Sequence, residues 1–151
     1  MMYENVIRDF AIRTKKNLEI IERLHKNGME AYETTQLVNS CLGLLVFPQQ
    51  HFIERIPKTP MEQLIQEGWP VPQVTGQFRQ VANLKELIRY LRNAIAHFNI
   101  QFLDDSENQI RLLRVWNINR GIKTWEAELS VDDLKKISEK FSGMLIDYNK
   151  V

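Results

Sequence analysis

Residues 83–98 read NLKELIRYLRNAIAHF, and this stretch decides the fold. Leu84, Leu87, Ile88, Leu91, Ala94, Ile95 and Phe98 recur at three- and four-residue intervals, which is the period of a helix with one apolar stripe. Asn83, followed three residues later by Glu86, predicts a capping box at its start. So continuous a stripe needs apolar partners from the remaining segments.

Upstream, residues 3–26 predict a long first helix with Val6, Ile7, Phe10, Ala11, Thr14, Leu18, Ile21 and Leu24 on one side and charges on the other. Asn27-Gly28 is its stop signal. A second helix is expected from Met29 to about Phe47, ended by Pro48. Its latter half, LVNSCLGLLVF, is apolar nearly all round, as in a helix buried in a core or a subunit interface. Asn39, Ser40 and Gly43 within it read two ways. They are small residues that let another backbone approach, or Asn39 faces a functional cleft and contacts substrate.

Residues 48–80 hold all five prolines and predict a long irregular connection, a functional loop or a covering lid. Within it, Thr59-Pro60 starts a short helix over Met61–Glu67, with proline at its first position, and Phe52 and Trp69 anchor the segment to the core. After Asn99 the period changes to two. Residues 99–104, 109–118 and 122–129 predict strands, with turns at Asp104–Asn108 and at Asn119-Arg120-Gly121. Ser130 caps a closing helix from about Val131 to Tyr148, whose first turn carries Asp132 and Asp133. Its buried face is Leu134, Ile137, Phe141, Met144 and Leu145. The expected architecture is one mainly α domain over residues 1–151. It is a bundle of about four long helices, with a small antiparallel β-meander at about 99–129 inserted before the last.

A net charge of +1 gives no global field toward nucleic acid, so any such contact must come from a local patch. Arg79, Lys85, Arg89, Arg92, Arg111, Arg114 and Arg120 are the candidates. Cys41 is the only cysteine, which excludes a disulfide within one chain, and its apolar surroundings predict a buried, inert thiol. His25 and His51 stand at no metal-ligand spacing with His97, and there is no Gly-rich phosphate loop, serine elbow or zinc pattern. No metal and no cofactor is expected. MMYENVIRDF lacks the order of a signal peptide, and Cys41–Phe47 is too short to span a bilayer, so a cytoplasmic protein with no membrane partner is expected.

The chemistry lies on the polar side of the helix at 83–98. Arg92, Asn93 and His97 form the pattern R-N-x-x-x-H. At about 100° per residue, His97 falls off the apolar stripe and one turn after Asn93, so those two side chains are neighbours. Arg92 lies about 140° from His97, with Arg89 between, and must use its length to reach the same cleft. An imidazole that titrates near neutrality gives and takes protons, and a guanidinium forks onto phosphate oxygens. An asparagine orients the imidazole or the substrate. Such a trio suits attack of an RNA 2′-OH on the adjacent phosphorus.

This segment resembles the signature of HEPN domains (higher eukaryote and prokaryote nucleotide-binding), in which an Arg and a polar residue precede a His. Arg92, Asn93 and His97 match it position by position. YETTQLVNSCLGLLVFP and WEAELSVDDL are further similar to a HEPN subfamily of plasmids and other mobile elements, so the likeness covers nearly the whole chain. The resemblance implies a helical bundle and a homodimer in which two signature helices form one composite cleft around RNA. It implies a metal-independent endoribonuclease of a toxin–antitoxin, phage-defence or mobile-element system, with an antitoxin or regulatory protein as a further partner. In that reading Arg92, Asn93 and His97 are catalytic, and Arg89 and Asn39 bind substrate. The alternative is a non-catalytic HEPN scaffold that dimerises or binds a protein or RNA partner. A small-molecule binding domain, resting on the long loop alone, ranks last.

Overall fold

The computed structural model describes residues 6–46, 52–104 and 110–147. In chain order the elements are α1 (Val6–Lys26), α2 (Glu33–Val46), a 3-10 turn (Ile53–Arg55), α3 (Met61–Gln66), β1 (Gln73–Val74), α4 (Leu84–Ala96), β2 (Ile100–Asp104), β3 (Ile110–Asn119), β4 (Ile122–Ser130) and α5 (Val131–Asp147). The fold is mainly helical, with five α-helices and a four-stranded antiparallel sheet among the described residues.

α4 is the centre. Its Leu84, Leu87, Ile88, Leu91, Ala94 and Ile95 are all buried, packed against α2 on one side and β3 on the other. Each large aliphatic side chain so placed contributes about 1.5–3 kcal/mol relative to exposure. The predicted cap forms, because Asn83 Oδ1 accepts from the Glu86 N–H at 2.9 Å. Glu86 returns the bond one residue further out, accepting from the Ala82 N–H at 2.6 Å. α5 covers the other side of α2, packs on α1, and reaches the sheet through β3 and β4. Ser130 caps α5 as expected, accepting from the Asp133 N–H at 3.0 Å.

The second helix begins at Glu33 rather than Met29. α1 closes through Gly28 at φ +78°, with Gly28 N–H donating to His25 O and Met29 N–H to Leu24 O, each at 3.0 Å, and the chain reverses before a new helix can start. The stripe of α1 is only partly covered: Ala11 and Thr14 are buried, but Val6 is 52% and Phe10 36% exposed. At Gly43 of α2 the close neighbour is a side chain rather than another backbone. A Cβ on Gly43 would meet the Phe10 ring at 2.7 Å, and Ser40 is buried with its hydroxyl on Gln36 O at 2.8 Å. Cys41 is fully enclosed, its Sγ lies 2.9 Å from Ser138 Oγ, and burial pushes its thiol up to about 12.

The expected three-stranded meander is a four-stranded sheet in the order β1-β4-β3-β2. β1 comes from the proline-rich connection and pairs Gln73 with Glu128 and Val74 with Ala127. It thereby covers an edge that β4 would otherwise leave open. The connection is built into the core as expected through Phe52 and Trp69, both buried, and also through Met61 and Leu64. Pro60 caps α3 instead of opening it as the first helical residue. The predicted end of α2 at Pro48, the start of α1 before residue 6, His51, most of the 104–108 turn, and Tyr148 lie outside the described residues. Among the described residues no helix is long and apolar enough to cross a membrane.

Candidate active site

The helix that carries the motif ends where the sheet begins. Phe98 N–H donates to Ile95 O at 3.1 Å and Asn99 N–H to Ala94 O at 2.8 Å, which closes α4 in a Schellman motif with Phe98 at φ +57°. Asn99 O then accepts from the Trp116 N–H at 3.1 Å and docks the chain on β3. His97 is the C-cap residue, its backbone N–H on Asn93 O at 3.2 Å. Between the helix end and the sheet runs an open groove of about 470 Å³, lined by Arg89, Tyr90, Asn93, His97, Asn99, Asn117, Ile118, Asn119 and Thr124.

His97 is exposed on this groove, and its imidazole makes no hydrogen bond to another described residue. It can therefore turn toward a ligand without breaking an internal bond. Asn93 is half-buried one turn earlier on the same wall. Arg92 does not line the groove. It donates through Nη2 and Nε to Asn93 Oδ1 at 2.8 and 3.2 Å. The helical wheel pairs Asn93 with His97, whereas the structure pairs Asn93 with Arg92. The reason is the guanidinium fork, which curls across one residue and finds a carbonyl acceptor at the right reach.

Arg89 lines the groove, its guanidinium carbon 5.4 Å from the centre of the Tyr90 ring and Nη2 3.9 Å from Glu86. Asn39 is not part of it. It sits on the exposed side of α2, whose Leu37, Val38, Cys41, Leu44 and Leu45 take the core side. Three of the seven candidate basic residues are held in ion pairs. Arg79 pairs with Glu86 at 3.0 Å, Lys85 with Glu54 at 3.0 Å and Arg114 with Glu128 at 2.6 Å. Arg79 shares the Glu86 carboxylate with Arg89, and of the motif helix's cations Arg89 alone lines the groove.

Glu86 braces this helix from below. Burial disfavours its charge, but the Ala82 N–H, the Tyr90 hydroxyl at 2.9 Å and the charges of Arg79 and Arg89 outweigh that effect and hold its carboxyl below the ordinary range. Tyr90 also packs on Trp125 of β4 with ring centroids 5.1 Å apart and the planes tilted by 57°, which ties the helix to the sheet.

Asn99, Asn117, Asn119 and Thr124 are wall residues that the sequence reading did not single out. Asn117 carried a signal. The alternation of β3 sends Leu113, Val115 and Asn117 inward, so an amide stands where an apolar residue is due. Among the described residues no three His, Cys, Asp or Glu side chains gather into a group able to hold a metal ion.

Comparison with curated proteins and with solved structures finds no match. Comparison with family models finds one that matches residues 1–151, described as HEPN pEK499 p136. A match over the full length shows the family: the chain belongs to the HEPN pEK499 p136 family.

Proposed function

We propose that this HEPN protein is a metal-independent endoribonuclease that cleaves RNA by internal transesterification. The observation that carries the reading is the placement of His97, exposed and unbonded on a polar groove, one turn from the Asn93 that holds Arg92. In the reaction the RNA 2′-oxygen attacks the adjacent phosphorus and the 5′-oxygen leaves. The 2′-hydroxyl proton goes to a base, and an acid supplies a proton to the departing oxygen. An imidazole serves either role. Arg92 stabilises the added charge on the phosphate oxygens, and Asn93 sets where its guanidinium points.

One chain supplies one His97, whereas the reaction needs a base and an acid. A homodimer with two α4 ends facing one RNA strand supplies both. It also removes the need for Arg92 and His97 of a single helix to reach the same phosphate. Family membership supports this arrangement and, with it, a role in a toxin–antitoxin, phage-defence or mobile-element system under a regulatory partner. The test is incubation of the purified protein with single-stranded RNA in EDTA. Fragments ending in a 2′,3′-cyclic phosphate and beginning with a 5′-hydroxyl support the reading. Intact RNA, or a 3′-hydroxyl product, counts against it. Association without any cleavage would favour the scaffold alternative.

A further inference from the structure

We propose that the part of the groove at Asn117 is a nucleobase-recognition subsite, in which the Asn117 amide reads the edge of the base beside the phosphate held at His97. The inference rests on the reading that the groove takes RNA. Three observations lead to it. First, the helix side and the sheet side of the groove differ in character. Arg89 and His97 suit an anionic phosphate, while Asn99, Asn117, Asn119 and Thr124 offer only neutral donors and acceptors, with no carboxylate among the lining residues. That is the pattern of a nucleotide, charged at one end and hydrogen-bonding without charge at the other.

Second, Asn117 is only 8% exposed, and its Oδ1 is buried with no hydrogen-bond partner among the described residues. Nε1 of Trp125 is buried and unpartnered in the same way. The two residues are cross-strand partners in the β3–β4 register, so their side chains project on the same face as close neighbours. Neighbouring strand positions thus leave an acceptor and a donor without partners, and of the two residues Asn117 lines the groove. The Watson–Crick edge of every base likewise sets a donor next to an acceptor, and asparagine is a usual reader of a base edge that does so. A fold concerned with stability alone would do better with apolar side chains here, because a buried polar group without a partner is destabilising.

Third, the strand pairing is interrupted at this point. The register moves between Asn117 and Ile118, so Thr124 has no partner opposite it while its hydroxyl contacts Asn117 O at 3.4 Å. A bulge of this kind re-aims side chains and is common beside functional sites. Turning the Asn117 amide about its terminal torsion, which is soft, exchanges the positions of its oxygen and nitrogen and so changes which of them faces the groove.

The test uses the full chain labelled with nitrogen-15 and titrated with the 3′-monophosphates of adenosine, cytidine, guanosine and uridine. The signals followed are the Asn117 side-chain amide and the Trp125 indole N–H, assigned by their loss in Asn117→Leu and Trp125→Phe. One nucleotide is expected to shift both signals and to bind about tenfold tighter than the weakest of the four, the scale of one well-made base contact. Asn117→Leu should bring the four affinities within about threefold of one another with the rest of the spectrum unchanged. Asn117→Asp, nearly the same shape, should move the preference toward bases presenting donors, and it serves as the check if the leucine variant fails to fold.

No binding of any nucleotide, binding without base preference, or a preference that survives both Asn117 variants overturns the subsite. Binding does not require cleavage, so the two readings separate. A protein that cuts RNA with no dependence on Asn117 keeps the ribonuclease and loses the subsite. One that binds selectively through Asn117 but cuts nothing keeps the subsite and loses the ribonuclease.

Discussion

Arg92 forks onto the side-chain oxygen of Asn93, its neighbour in sequence, with Nη2 at 2.8 Å and Nε at 3.2 Å. Successive residues on a helix point about 100° apart, so this contact exists only because arginine is long and its donors are paired. On the proposed reading Asn93 is a positioning residue for Arg92. If the guanidinium stabilises phosphate charge, Arg92→Ala should lower cleavage by about 10²–10³-fold. Asn93→Ala should lower it less, by about tenfold, through Arg92 alone. The double variant should then be no slower than Arg92→Ala. Additive losses in the cycle would show that Asn93 acts on its own.

A site shared between two copies of α4 makes activity depend on association. Cleavage per chain should fall as the protein is diluted through its dimer dissociation range, in parallel with the dimer fraction measured by sedimentation. A specific activity that stays constant while the protein becomes monomeric would place the whole site in one chain.

Three helices close with the same hydrogen-bond pattern. α1 uses Gly28 at φ +78° and α3 uses Gly68 at φ +82°, but α4 uses Phe98 at φ +57°. A bulky residue in the left-handed region is strained by about 1–2 kcal/mol, and at 73% exposure the ring recovers little by burial. Phe98→Gly should therefore raise the thermal midpoint by about 2–5 °C. A lower midpoint would mean that Phe98 is held by packing rather than tolerated. The strain sits immediately after His97.

Glu86 sets a pH dependence. Its folded-state carboxyl titrates below the ordinary range, so its contribution to stability is complete above that range and is lost as pH falls through the lowered value. Glu86→Gln should accordingly lower the melting temperature near neutral pH, with a gap that closes toward acid. A gap independent of pH would remove the charge of Glu86 from the account.

The 3.6-residue stripe from Leu84 to Ile95 and the cap at Asn83 were legible because local periodicity and local hydrogen bonds decide them. The strands around Leu113 and Trp125 were legible for the same reason. β1 was not, since a two-residue strand has no period and exists only because β4 offers it an edge. The partner of Asn93 was not legible either. A wheel ranks neighbours by angle, and the length of Arg92 overrides it. Asn117 joins the groove through a sheet register more than twenty residues from Asn93 in sequence, and no helical spacing contains that relation.

The most direct test compares wild type and His97→Ala on the same single-stranded RNA in EDTA, with melting temperatures measured in parallel. An exposed side chain with no internal hydrogen bond can be removed without unfolding the chain. The account predicts equal midpoints and a loss of cleavage of at least about 100-fold. Cleavage by His97→Ala at the wild-type rate would contradict it.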